Sequence, residues 1–380
     1  MNLYVRTRLF FLNSTKKYLA LFSLLLVSLV VSIAGQTLLP HQEKLNDKKP
    51  RRIVKLEEVM RIHDDGEDII FKNPRYFSQL DDGSLIFLDH PVLYRFDDKG
   101  KLIFKIFKMG EGPGECLHPD YYYFDGNRIY VHSWIPAKIL EYEINGKYIK
   151  EKKVPFHTFV YIGYIDNRIF GIRDEIRYSG FIHKQGIFET PYTLYEISPD
   201  FRKKEKILDI PVEHYMKKAH WWRRTAYAFV PFKHYLFSLH TAEYQVDKID
   251  LRSGQIEKIF KRPYERIKSK KKGSVQDIYN PVPKNLLPPP SDYVKDISWI
   301  QIANNSLWVF TSTTKDEMRL IDVFDIEGNY IDCFYLQFPE NNEYHGPFYT
   351  LISDDGFLFT PEDNKDTGLV SIGKYKIKDD

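Results

Sequence analysis

Short apolar runs recur six times along the chain, at Leu85-Ile86-Phe87-Leu88, Ile129-Tyr130-Val131-His132, Ile169-Phe170-Gly171-Ile172, Leu236-Phe237-Ser238-Leu239, Leu307-Trp308-Val309-Phe310 and Phe357-Leu358-Phe359-Thr360. The first two positions are apolar in every copy. Turn residues precede five of them, and only Lys233-His234 precedes the fourth. Apolar runs this short, bounded by Gly, Asn and Asp, read as strands. An alternating segment and a turn follow: Tyr94 to Gly100, Tyr142 to Gly146, Tyr195 to Asp200, Val246 to Gly254 and Val323 to Gly328. Period-two alternation turns one face of such a strand inward. The sixth copy, around Val370-Ser371-Ile372, ends without that turn or a following strand. A strand near Ile53–Leu56 supplies the missing piece and removes the exposed edges. The pattern predicts an all-β, six-bladed β-propeller over residues 51–380.

The fullest copy is Gly110 to Lys147. It carries Gly110, Gly112, Pro113, Gly114, Glu115, Pro119, Gly126, Asn127, Ile129, Tyr130, Val131, Ile139, Tyr142 and Gly146. On these residues it resembles an NHL-type repeat, and the chain resembles bacterial six-bladed propellers built from such repeats. Cys116 stands where that family usually has Phe, and Lys138 where it often has Arg. Asp89 matches the family's Asp beyond the first strand, whereas Ser133 does not. The resemblance implies a fold and no function, because propellers host binding, scaffolding and catalysis alike. The run Gly110-Glu111-Gly112-Pro113-Gly114-Glu115 follows a strand, but no helix begins after it, as a dinucleotide cradle requires. Its glycines suit a turn between blades, stiffened by Pro113.

Composition agrees with strands: Tyr and Phe number 27 each, against 5 Met. A net charge of +3 leaves any polyanion binding to a local patch. Cys116 and Cys333 fall in distant repeats and form no metal-binding spacing. Residues 1–17 are basic, and Tyr18 to Ala34 is apolar apart from three serines. This reads as a signal peptide over 1–34, cleaved near Ala34 or Gly35, or as an uncleaved anchor at 18–34. Residues 35–50 read as a linker. The bulk of the chain is thus expected outside the cytoplasm, periplasmic, extracellular or membrane-anchored. Three segments exceed the plain repeat: an excursion at Arg173 to Pro191, a link at Asp209 to Lys233, and a link at Lys261 to Asp296. The last contains the Lys268–Lys272 cluster and a Pro-rich run.

One past each four-residue strand stand Asp89, Ser133, Arg173, His240, Thr311 and Pro361. Symmetry puts them on one level near one mouth of the central channel. The ligand-site candidates are Asp89, Ser133, Trp134, Arg173, His240 and Thr311, with His90 and Asp174 beside them. The competing reading is that the polar members cap their own loops. Lys217 to Arg224 mixes four basic residues with Trp221 and Trp222, which suits an anionic surface or a solvated loop. No acid cluster has calcium-loop spacing, and His234 with His240 lacks a third metal ligand in the sequence. The expectation is an exported module that binds a small molecule, glycan or protein through one face, with no cofactor, metal or nucleic acid. Membrane contact is confined to the N-terminal segment or the Lys217–Arg224 loop. The alternative is a lyase or hydrolase with His240 as base and Arg173 stabilising an anion.

Overall fold

The second strand of each repeat is apolar along its length because both of its faces are covered. Leu85–Asp89 is buried at every position, whereas Leu102–Ile106, at the rim of the same sheet, alternates with solvent. This difference sets the architecture seen in the computed structural model: small sheets stacked face to face around an axis. The structure describes residues 50–379 apart from 51, 107, 155–158, 176–184, 219, 226, 270–283, 287, 290, 317, 340–348 and 365–366. The apolar segment at 18–34 and nearly all of the linker lie outside the described residues.

The first strand of the chain, β1 (Ile53–His63), belongs to the last blade. Blade one is β2 (Pro74–Gln79), β3 (Leu85–Asp89), β4 (Val92–Phe96) and β5 (Leu102–Ile106). Blade two is β6 (Pro119–Phe124), β7 (Arg128–Ser133), β8 (Lys138–Glu143) and β9 (Tyr148–Lys153). Blade three has five strands: β10 (Phe159–Ile165), β11 (Arg168–Asp174), β12 (Gly186–Ile197), β13 (Lys204–Lys217) and β14 (His220–Arg223). Blade four is β15 (Ala228–Phe232), β16 (Tyr235–Leu239), β17 (Gln245–Asp250) and β18 (Gln255–Lys261). Blade five is β19 (Ile297–Ala303), β20 (Ser306–Lys315), β21 (Met318–Asp325) and β22 (Tyr330–Leu336). Blade six is β23 (Leu351–Ile352), β24 (Phe357–Asp363), β25 (Val370–Asp379) and then β1.

The expected closure is therefore present and longer than the Ile53–Leu56 segment. β1 pairs antiparallel with β25 from Val54↔Asp379 to His63↔Ser371. It also touches β22 in parallel at Ile53↔Tyr335 and Val54↔Leu336, joining blades five and six into one sheet. Arg61 rivets the seam, donating to Ser371 Oγ (2.9 Å) and the Tyr375 hydroxyl (2.7 Å). Ile62 then packs with Phe71, Phe77 and Phe87 of the first blade region and Phe359 and Ile372 of the last, which closes the ring.

Two of the longer segments are more regular than expected. Most of the Asp209–Lys233 link is strand: Ile210, Val212, His214 and Met216 alternate as buried positions in β13. The Lys217–Arg224 stretch is a hairpin edge, β13 against β14, with Arg224 bonded to Glu213 (2.6 Å). Of the Arg173–Pro191 excursion, Gly186 onward is β12, and 176–184 lie outside the described residues. In the Lys261–Asp296 link, Arg262 is fixed to buried Asp322 (2.8 Å) and Arg266 to Asp296 (3.0 Å). Most of the Lys268–Lys272 cluster lies outside the described residues. No disulfide joins Cys116 and Cys333.

The two rims of the ring differ. Tight turns after the first strand of every blade, and after the third strand of blades one to five, occupy one rim, with positive φ at Gly83, Asn167, Asn305, Gly356, Gly100, Gly146 and Gly328. Lys233 adopts φ 54° as well, so the fourth repeat makes the turn without the usual residue types. Every longer connection lies on the opposite rim, here called the loop rim.

Candidate functional site

The predicted site residues stand at the loop rim, near the ends of the second strands, but most point into their own blades. Buried Asp89 accepts the backbone N–H groups of Lys72 (2.8 Å) and Asn73 (2.6 Å). Its carboxyl is raised by burial, partly offset by those two hydrogen bonds. Ser133 Oγ donates to Ile135 O (3.1 Å), and Thr311 Oγ1 donates to Leu320 O (3.0 Å). Arg173 lies 3.7 Å from Glu175, whose other oxygen accepts the Tyr195 hydroxyl at 2.8 Å. His240 is buried, 3.6 Å from Asp247 and 3.3 Å from Ser238 Oγ. Burial holds its imidazole below the usual pKa against the opposing pull of Asp247. The contacts given for Arg173 are on blade three, whereas His240 contacts Ser238 and Asp247 on blade four and also feels the charge of Glu189 on blade three. Pro361 pairs with Ile372 in the sheet. Trp134 alone projects, 39% exposed, with its ring edge-on to His118 at 6.4 Å.

The glycine-rich turn is already occupied by its own acids. Gly112 N–H donates to Glu115 (3.1 Å) and Gly114 N–H to Glu151 (3.0 Å), and buried Lys138 bonds both Glu151 and Gly112 O (2.9 Å each). The turn is structural. Among the described residues no group of three His, Cys, Asp or Glu side chains converges as a metal site would.

The side chains that do converge come from the first strand of each blade. These strands neighbour one another round the ring, β6 beside β10, β10 beside β15, β15 beside β19 and β19 beside β23, and so line the axis. In β2, β6, β10 and β19 the pairing register shifts within the first residues: Arg75/Ser78, Pro119/Tyr121, Phe159/Tyr161 and Ile297/Trp299. A bulge of this kind re-aims the side chains next to it. Tyr76, inside the first bulge, takes φ 58°, and its carbonyl accepts the Tyr122 hydroxyl from blade two. Its ring meets Tyr121 edge-on at 5.2 Å. Tyr227, one residue before β15, is near enough to act on the hydroxyls of both.

Cations surround these tyrosines. The Arg75 guanidinium lies 5.3 Å from the Tyr76 ring centre, and that of Arg223 lies 3.6 Å from Tyr227 and 5.2 Å from Tyr192. Lys295, two residues before β19, is reached by solvent. Even so, the surrounding protein, with the charge of Arg223 added, pulls its ammonium down to about 8. Arg319, over Trp299 at 5.1 Å, bonds Ser298 Oγ (2.8 Å) and Thr311 O (3.0 Å), both neutral. Burial likewise raises Tyr76 to about 12 and Tyr121 well above its ordinary value. Asp120 lies beside Tyr76 and Tyr121, and Asp89 acts on Arg75. His90 lies 4.6 Å from His118 and is lowered by burial, then by His118 and Arg75.

This cluster was missed because the sequence reading followed second strands. A signal existed: Pro74-Arg75-Tyr76 is echoed by Pro119-Asp120-Tyr121 at the same place in the next blade. Arg223 and Lys295 had no such signal, since one lies on an extra edge strand and the other in a long connection.

The comparisons agree on the ring. Residues 67–246 match the family DUF5128, described as a 6-bladed beta-propeller. A solved structure from Bacteroides fragilis, which carries the provisional description "exported protein", is similar with a TM-score of 0.56 and 15% identity. That match covers 88% of this chain and 98% of the other. A member of the DUF4221 family from Bacteroides vulgatus is similar with a TM-score of 0.55 and 12% identity, covering 87% of this chain and 100% of the other. No curated protein matches the sequence. At these identities the likeness establishes the fold: the chain is a six-bladed β-propeller.

Proposed function

We propose that this protein is an exported binding module that takes its ligand at the loop-rim mouth of the axial channel. The observation carrying this reading is the convergence of Arg75, Tyr76, Tyr121, Arg223, Tyr227 and Lys295, drawn from different blades, into one cluster. Side chains that assemble only when the ring closes do not stabilise a single sheet, and concave sites lined by aromatics with a few placed charges are where ligands bind. Exposed Trp134 extends the same rim and offers an apolar anchor beside it. The basic, then apolar, N-terminal segment supports export. The Bacteroides fragilis relative's description is in keeping with that.

A thermal-shift panel of sugars, oligosaccharides, peptides and small carboxylates tests the reading, because a ligand selective for the folded state raises the melting temperature. Tyr121→Ala and Trp134→Ala alter the loop rim, and Lys147→Ala alters an exposed turn on the opposite rim. The expected result is a hit weakened by one or both rim variants and unchanged in Lys147→Ala. A hit that ignores both rim substitutions and is lost in Lys147→Ala contradicts the reading.

A further inference from the structure

The mouth gathers three cations, Arg75, Arg223 and Lys295, while its carboxylates lie on one side: Asp89 acts on Arg75, and Asp120 stands beside Tyr76 and Tyr121. Among the described residues neither Arg75, Arg223 nor Lys295 forms an ion pair, although Arg61, Arg95, Arg168, Arg262 and Arg266 each find a carboxylate. The Nε atoms of Arg75 and Arg223 are buried and have no hydrogen-bond partner. Where the chain buries a cation fully it gives it a carboxylate: Lys138 is held between Glu151 and Gly112 O, and Lys248 lies by Glu257 at 3.4 Å. Arg75 and Arg223 are half-buried and Lys295 is exposed; holding partly buried charge without an ion-pair partner costs free energy, which water or an anion offsets.

Position adds to composition. Arg223 and Lys295 interact electrostatically with each other, and Arg223 stacks on Tyr227, which in turn acts on Tyr76, beneath Arg75. The three cations therefore belong to one continuous cluster that crosses the axis from blade one to the blade four–five boundary. Guanidinium groups fixed by stacking present planar N–H forks that suit two-oxygen acceptors. The tyrosine rings beside them are flat apolar surfaces with polar tips.

We propose that the loop-rim mouth binds an oxyanion, a carboxylate, sulfate or phosphate group, between Arg223, Lys295 and Arg75, with the body of its carrier resting on Tyr76, Tyr121 and Tyr227. This rests on the mouth being the binding site and adds the chemical class of its ligand. Asp120 lies on the blade-two side of the mouth, so the anionic group sits towards Arg223 and Lys295 and the neutral part of the carrier towards Tyr121.

Calorimetric titration of the purified protein at neutral pH and low salt tests this with four probes: inorganic phosphate, sulfate, glucuronate and glucose. Oxyanions bind and glucose does not, and added sodium chloride weakens the binding. Arg223→Gln and Lys295→Met each reduce affinity by about tenfold or more, as loss of a charge-assisted hydrogen bond does. Lys295→Arg keeps most of the affinity, and Lys147→Ala changes nothing. Glucuronate binding more tightly than sulfate identifies a carboxylate on a ring as the ligand group, and the reverse order identifies a sulfate or phosphate ester. Lys295 is solvent-reached, so Lys295→Met tests the site even where Arg223→Gln fails to fold. Oxyanion affinity unchanged in a folded Lys295→Met variant, or no oxyanion binding by the wild type, overturns the inference. If the rim-dependent hits of the thermal-shift panel are instead neutral molecules, the mouth remains the binding site and only its anionic character is lost.

Discussion

Asp89 and Arg75 sit in adjacent strands of one blade and show what a side chain's direction does to its role. Asp89 turns inward and ties two amides of its own loop. Arg75, beside the bulge in β2, joins the axial cluster. A sequence places both at the loop rim but does not say which way each points, because a bulge breaks the period-two rule locally. The same limit applies to Arg173 and Asp174, neighbours in β11 with partners on opposite faces: Glu175 and Tyr195 for one, the surroundings of Tyr192 for the other. Lys295 gives the sharpest residue-scale expectation. Its folded-state value of about 8 lies below the value of an unfolded lysine, about 10.4. Between those values the unfolded chain binds the proton more tightly, so stability attributable to this group rises as pH increases through that window. Below pH 8 the charged form is held at full cost beside Arg223. Melting curves of the wild type and Lys295→Met across pH 7 to 11 should therefore differ most at the acidic end, with the variant the more stable there. A constant difference across the series rules out the proposed environment of Lys295.

At the scale of elements, the legible parts were those dictated by packing. A second strand covered on both faces must be apolar at successive positions, and all six were readable for that reason. Closure was readable from the missing final strand, and β1 fills it over Ile53–His63. The fifth strand of blade three was not, because Lys217, Arg223 and Arg224 look like a solvated loop until Glu213 and the alternation of Ile210, Val212 and Met216 are set beside them. β1 also carries the clearest test at this scale. Val54 is 1% exposed and packs with Trp299, Phe310 and Leu336. An unpaired charge there costs on the order of 3 kcal/mol or more. Val54→Asp is expected to lower the thermal midpoint strongly, and light scattering should report self-association through the freed edges of β22 and β25. A variant that melts like the wild type and stays monodisperse shows that the ring does not depend on this closure.

Over the whole molecule, structure and binding separate by rim. The turn rim is built from hairpins with positive φ and holds the blades in register. On the loop rim, first-strand bulges, the extra strand β14 and the connections before β15 and β19 bring Arg75, Tyr76, Tyr121, Arg223, Tyr227 and Lys295 together. Six-fold repetition was visible in the chain because each blade buries itself against its neighbours in the same way. The mouth was not, since it is the place where the blades differ and its members are set by three-dimensional closure alone. The most direct measurement is anomalous diffraction from crystals soaked in selenate, a heavy analogue of sulfate. The account predicts a selenium peak at the loop-rim mouth within hydrogen-bonding distance of Arg223 and Lys295, absent from Lys295→Met crystals. Selenate found only on the outer surface, with the mouth open to solvent and free of the ion, would contradict it.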